Sequence, residues 1–252
     1  MMWGLLKSEF YKMIHTPFYL IHLVIPIIGF VLTLCYYSFS TSETLNKVNG
    51  YIELLAIAFP LLISIVCASA VDTERSAGNF KEMIGLKTPK YQSFLAKLLM
   101  LLIIGGTALG IALFGFVVGF QFVLKQNNLP FSFYVVISCI LFGSQIFLYV
   151  FHMILSLEFG KGVSMTVGAL ESLCSALMLT GLGEVIWKFI PCSWGIRFTG
   201  YYSLSISDPD YLMSMMGDVQ YGIVTATVLT ASLLVAAIVW VSNYESKNCI
   251  ES

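Results

Sequence analysis

Six apolar runs, each long enough as a helix rising 1.5 Å per residue to cross a hydrocarbon layer of ~30 Å, alternate with polar segments along the chain. They lie at Pro17–Tyr37, Tyr51–Val71, Phe94–Leu124, Phe131–Leu157, Val163–Leu182 and Gln220–Ser242. A segment reading WGLLKSEFYKMIH, within residues 1–16, precedes the first run and has the pattern of a basic amphipathic helix. The first run is too long for the apolar core of a cleavable signal peptide, so the mature chain is expected to start where the sequence starts. The pattern predicts an all-α integral membrane protein whose residues 1–252 form a single transmembrane domain. Two polar interruptions stand out, a loop at residues 72–93 and a longer segment at residues 183–219.

Composition agrees with this setting. With 58% hydrophobic and 11% charged residues and a mean hydropathy of +0.87, the chain is too apolar to cover a water-soluble globule. The net charge of −1 says little; the placement of the basic residues says more. With a cytoplasmic N-terminus, Lys7, Lys12, Arg75, Lys81, Lys87, Lys90, Lys97, Lys161 and Lys247 lie inside, and only Lys47, Lys125, Lys188 and Arg197 lie outside. The positive-inside rule therefore predicts cytoplasmic N- and C-termini in a multi-pass protein of the cell membrane, most simply a bacterial cytoplasmic membrane. The six cysteines have no paired spacing, so neither a disulfide framework nor a zinc site follows, and they read as small packing residues.

The cytoplasmic loop DTERSAGNFKEMIGLKTPK, Asp72 to Lys90, concentrates charge. Within it Phe80, Met83, Ile84 and, half a turn on, Lys87 recur at helical spacing, Gly78 and Gly85 bracket the turn, and Thr88-Pro89 closes the segment. A short helix with this face must bury it on its own neighbours or in a partner's groove; the alternative is a solvated loop laid on the lipid surface. The chain has no GxxxxGK[ST] phosphate loop, no HExxH and no GxSxG, so an ATPase or hydrolase site is not expected in it.

The spans carry their own signals. Gly106-xxx-Gly110 and Gly115-xxx-Gly119 fall on opposite faces of the third run, which suits close packing against two neighbours, although glycine is also common in membrane helices. Ser138, Gln145 and His152 form a heptad stripe in the fourth run. Glu171 sits near the middle of the fifth, where a carboxylate facing lipid would cost about 2.5 kcal/mol or more. It reads either as interhelical glue bonded to Gln145 or a serine, or as part of a substrate path. His22 and His152 read as hydrogen-bonded packing residues. In residues 183–219, the stretch EVIWKFIPCSWGIRF predicts an external re-entrant or interfacial hairpin broken at Pro191. Trp187, Trp194, Tyr201 and Tyr202 suit the outer headgroup layer. SDPDYLMSMMGD after it is acidic and Met-rich, a surface for a cationic substrate.

The basic N-terminal segment, six spans, the Glu74-x-x-x-Gly78-x-Phe80 pattern within ERSAGNFK, Lys97 at the entry to the third span and the long external stretch resemble an ABC-2 type permease across essentially the whole chain. Within that group the chain is similar to the permease subunits of lantibiotic self-immunity exporters, Ile190-Pro-Cys-Ser-Trp194 pointing that way. The resemblance implies a permease that works with a dimer of nucleotide-binding subunits and a second, usually different, permease subunit. ATP and Mg would sit on the partner, with no cofactor or metal in this chain and no nucleic acid. Asp72, Glu74, Arg75, Gly78, Phe80, Lys81, Met83 and Ile84 would form the ATPase-coupling helix. Gln145, His152 and Glu171 would be the intramembrane polar set. Trp187, Pro191, Trp194 and Arg197 would mark the external hairpin, facing peptide substrate and membrane lipid. The implied function is ATP-driven expulsion of amphiphilic antimicrobial peptides. The alternatives are an ABC-2 exporter of a drug, lipid or polysaccharide, and a non-transporting membrane sensor or scaffold.

Overall fold

The computed structural model describes residues 2–14, 16–78 and 89–243 of the chain. Phe80, Lys81, Met83 and Ile84 of the expected coupling helix lie outside the described residues. Those described form eight helices and several short turns, with no strand among them: α1 Met2–Met13, α2 Phe18–Phe39, α3 Thr44–Gly78, α4 Lys90–Val118, α5 Phe131–Phe159, α6 Lys161–Met178, α7 Trp194–Ser207 and α8 Pro209–Ser242. A π-helical turn, Gly119–Val123, continues α4, and three 3₁₀ turns lead from α6 to α7.

Five helices, α2, α3, α4, α5 and α8, are long and apolar enough to cross a membrane. The fifth expected span, Val163–Leu182, is also a helix, but it starts at Lys161 and stops at Met178, which makes it about 27 Å long. It is more polar than the others because its inner face is built from Ser164, Gly168 and Ser175, all buried. The last span begins at Pro209 rather than Gln220, so SDPDYLMSMMGD is almost wholly the first turns of α8 and not a loop. Asp208 caps that helix, its side chain accepting from the Tyr211 N–H, and Pro209 occupies the first helical position.

Helix α3 organises the bundle. At 35 residues it is about 52 Å long, well beyond what a bilayer requires, and its most extensive contact is with α6. Pro60 interrupts its hydrogen-bond ladder, and α6 docks at that point. The Leu61 N–H donates to Ser172 Oγ at 3.1 Å, and Gly168 packs directly on Ser64 and the Pro60 carbonyl.

Close approach elsewhere also depends on missing side chains. A Cβ on Gly115 would lie 2.6 Å from the Phe30 ring, and one on Gly119 would meet Leu34, so this pair seats α2 on α4. Gly106 faces Phe142 of α5, while Gly110 has nothing within 4 Å. Both faces of α4 are thus packed, though only one of the two expected glycine pairs acts as a pair. Beside the α2 contact, Tyr51 and Phe120 stack on either side of Phe116, with ring centroids 4.0 and 5.1 Å apart.

At the α2–α3 end, Lys47 is buried rather than exposed. Its ammonium donates to the carbonyls of Tyr37 and Ser40 at the C-terminus of α2 and to Gln126 Oε1 after α4, at 3.2, 2.8 and 2.8 Å. The indoles of Trp187 and Trp194 are likewise buried, not spread on the bundle surface as expected of headgroup anchors. Trp187 lies over Gly222 of α8 and edge-on to Phe198, and Trp194 Nε1 donates to the Lys188 carbonyl at 3.1 Å. The absent Gly222 side chain makes the slot into which Trp187 fits. Val185 and Phe189 are exposed apolar residues of this segment.

The α3–α6 contact gives a direct test. A Cβ at Gly168 would lie 2.9 Å from the Pro60 carbonyl, whereas one at Gly162 on the same helix meets nothing within 4 Å. Gly168→Ala should therefore destabilise the detergent-solubilised protein by about 1–3 kcal/mol, and Gly162→Ala should be neutral or slightly stabilising. Thermal unfolding followed by size-exclusion chromatography compares the two, and equal melting temperatures would contradict the docking.

Candidate functional site

At the end of α3 next to residues 79–88, four charged side chains form a closed ring. Lys97 Nζ contacts Glu9 Oε2 at 2.5 Å and Glu74 Oε2 at 2.9 Å, and Lys12 Nζ contacts Glu9 Oε1 at 2.8 Å and Glu74 Oε1 at 3.2 Å. Each carboxylate gives one oxygen to each ammonium, so the charges alternate around the ring and sum to zero. Glu9, Glu74 and Lys97 are buried, and Lys12 closes the open side.

Three helices supply the ring. Helix α1 buries Leu6, Glu9 and Met13 at spacings of three and four, which makes Glu9 part of its apolar face. Glu74 extends from the overhang of α3, and Lys97 stands on the second turn of α4, among buried Phe94, Ala96 and Leu98. The ring ties together the two helices that flank residues 79–88 and clamps α1 across them.

The other coupling candidates on α3 are also engaged within the chain. Arg75 Nη2 donates to the carbonyls of Ser156 and Leu157, both at 3.2 Å, satisfying the C-terminus of α5. Asp72 pairs with Lys161 at 3.0 Å in an exposed bridge that contributes little by itself. Gly78 is the last residue of α3. Between α5 and α6, Gly160 makes a one-residue connection with φ +87°, a conformation that favours glycine, and its missing Cβ leaves room for the Arg75 guanidinium.

That connection sets the register of the intramembrane polar residues. His152 Nε2 and Glu171 Oε2 are 2.7 Å apart, and His152 Nδ1 lies 3.1 Å from Ser164 Oγ. The expected partner, Gln145, stands two turns further from Gly160 than His152 does and makes no hydrogen bond to Glu171 among the described residues. It is buried elsewhere, with no hydrogen bond to its Nε2, beside a cavity of about 280 Å³ between α2, α3 and α4. Ser138 also has an unpartnered hydroxyl, so the heptad stripe does not act as one unit. His22 is partnered at Nδ1 by the Phe18 carbonyl at 2.7 Å.

At the opposite end, Pro191 opens a 3₁₀ turn after the extended Ile190, and Trp194 begins α7. The Arg197 guanidinium donates from Nε to the Met178 carbonyl at 2.6 Å and from Nη2 to that of Thr180 at 2.9 Å, fastening α7 to the end of α6. Burial pushes the Cys192 thiol up from its ordinary value, which suits a packing residue rather than a reactive thiolate. An apolar groove of about 650 Å³ runs between α5, α7 and α8, with Gly143, Trp194, Tyr202, Met216 and Ile223 on its walls.

The sequence pattern singled out Glu74 and the Lys97 entry but missed Glu9 and Lys12 as site residues. The signal for Glu9 was its position on the apolar face of α1. For Lys12 there was none beyond its place one turn after Glu9.

The His152–Glu171 pair separates glue from chemistry. Glu171→Leu leaves a buried ring nitrogen without a partner and should cost about 1–3 kcal/mol, and His152→Leu/Glu171→Leu together should recover much of that. Glu171→Gln keeps a hydrogen-bonding group and should match the wild type in melting temperature and activity. Loss of activity in Glu171→Gln at unchanged stability would show that the carboxylate itself is used.

A search of curated proteins returned no match. The family model described as ABC-2 family transporter protein matches residues 5–174, two thirds of the chain, and spans α1 through most of α6, including all four ring residues and both members of the histidine–carboxylate pair. The chain belongs to the ABC-2 transporter family and is a membrane permease of that family.

Proposed function

We propose that this chain is the permease subunit of an ATP-driven exporter that expels amphiphilic antimicrobial peptides, of the lantibiotic type, from the membrane. In this reading α6 is the sixth span, both termini are cytoplasmic, and the ion ring lies at the cytoplasmic face. ATP and Mg belong to a dimer of nucleotide-binding subunits, and a second permease subunit completes the complex. Support for an amphiphilic substrate comes from the apolar, aromatic-walled groove between α5, α7 and α8, which suits a peptide or lipid-like molecule better than a polysaccharide.

The observation that carries the coupling role is the ring itself. Residues 79–88 join two helices whose ends are ion-paired to each other through Glu74 and Lys97. Any force applied to that segment by a partner reaches α3, α4 and α1 together rather than bending one of them. The displacement then runs along α3 to Pro60, where Ser172 and Gly168 pass it to α6. In this scheme Glu74 and Arg75 position the coupling segment from within the permease, and the residues between 79 and 88 meet the ATPase.

Charge alternation makes the test specific. Glu74→Lys sets a third ammonium beside those of Lys12 and Lys97 and should cost about 3–5 kcal/mol at the ring. Adding Lys97→Glu alone should not rescue it, because position 97 would then turn a carboxylate toward Glu9 while position 74 turned an ammonium toward Lys12. Reversing all four positions restores alternation and should restore function. In proteoliposomes with the nucleotide-binding subunits, peptide efflux should fall at least about tenfold, equivalent to ~1.4 kcal/mol, in the single and double variants and recover in the fourfold one. Unchanged efflux in Glu74→Lys, or full rescue by the two-residue swap, would refute the ring's role. Efflux of a drug or lipid but no peptide from wild-type vesicles would replace the substrate assignment.

A further inference from the structure

Glu53 and Asn49 stand one turn apart on one face of α3, 21 residues or roughly 32 Å from Glu74, at the end of the bundle opposite the ring. They line a pocket of about 250 Å³ between α3, the end of α6 and α7. Glu53 is half-buried and makes no hydrogen bond or ion pair among the described residues. Asn49 Oδ1 is fully buried and accepts from nothing. A carboxylate partly removed from water and without a donor is costly unless a cation completes it. The basic group on the same wall, Arg197, is held by the carbonyls of Met178 and Thr180 at the negative end of α6. Ile52, Leu179, Ile196 and Leu204 form the apolar part of the lining.

We infer that this pocket receives a lysine side chain of the exported peptide, the ammonium on Glu53 and the alkyl stem along the four aliphatic residues. The inference deepens the peptide-export reading and rests on it. The volume lies below the ~300–1,000 Å³ that encloses a whole drug-sized ligand, so the pocket takes one side chain while the rest of the molecule remains outside it. An ammonium donates, and the two carboxylate oxygens of Glu53 accept.

Binding can be read without transport. The purified permease in phosphatidylglycerol nanodiscs, with no ATPase present, is titrated calorimetrically with n-hexylammonium and with n-hexanol. The wild type should bind the amine at least about tenfold more tightly, a difference of ~1.4 kcal/mol. Glu53→Gln should remove most of that preference, and Glu53→Asp should keep part of it. A lysine-containing amphiphilic peptide should compete with the amine, and the same peptide acetylated on its lysines should not. Equal affinity for amine and alcohol in the wild type, or unchanged amine binding in Glu53→Gln, would overturn the proposal. So would loss of amine binding on replacing the lipid with phosphatidylethanolamine, since the headgroup would then be the occupant. Failure of peptide efflux in vesicles with amine and peptide binding intact would count against the export reading and not against the pocket.

Discussion

Lys97 cannot be buried alone. An ammonium at 2% exposure on a membrane helix is tolerable only with counter-charges in contact, and Glu9 and Glu74 provide them from two other helices. That requirement fixes much of the rest. It holds α1 against α4, although α1 is short and has a narrow apolar face. It also sets how far α3 must extend past the bilayer, because Glu74 has to reach the depth of Lys97. Lys12 then completes the alternation and leaves neither carboxylate with one partner. Replacing all four by apolar residues of similar size could be as stable, so the ring's value lies in fixing one arrangement of three helix ends.

The same logic recurs at a smaller scale through the bundle. Polar groups inside it are matched across helices: Arg75 to the end of α5, Arg197 to the end of α6, Lys47 to the end of α2. In each case a basic side chain caps carbonyls that helix geometry leaves open. Three cations thus close three C-termini, and Arg75 does so across 81 and 82 residues of sequence. Three of the groups left unmatched, Glu53, Asn49 and Gln145, stand beside cavities.

Much of the helix order was legible from apolar run length, since hydrocarbon thickness acts on every run alike. The ends were not. Run length stops where apolar residues stop, but α3 continues to Gly78 on charged residues that have partners, and α8 starts at Pro209 because Asp208 and Pro209 are good helix-start residues. At the site, Glu171 stood out as costly, and its partner was misassigned. The choice between Gln145 and His152 depends on the length of the α5–α6 connection, and the glycine that makes it a single residue carries no register label in sequence. The buried tryptophans were misplaced for a related reason: an indole suits a headgroup layer or a protein slot equally, and Gly222, which makes the slot, lies 35 residues from Trp187. Pairings that join remote helices, such as Glu9 with Lys97, are the least visible in a single sequence because nothing local demands them.

The one-residue joint at Gly160 bears on how this membrane protein is made. Helix α6 is shorter than the five helices that are long and apolar enough to cross a membrane, and the carboxylate of Glu171 opposes its entry into lipid as a separate segment. Helix α5 leaves the ribosome first and carries His152, and the tight turn brings His152 and Glu171 face to face once α6 has followed it. The hairpin can therefore partition from the translocon as one body with its charge already masked. On the proposed reading of α6 as the sixth span, its membrane integration is borrowed from α5, and a longer or looser joint would delay the pairing past the moment when lipid first meets the carboxylate.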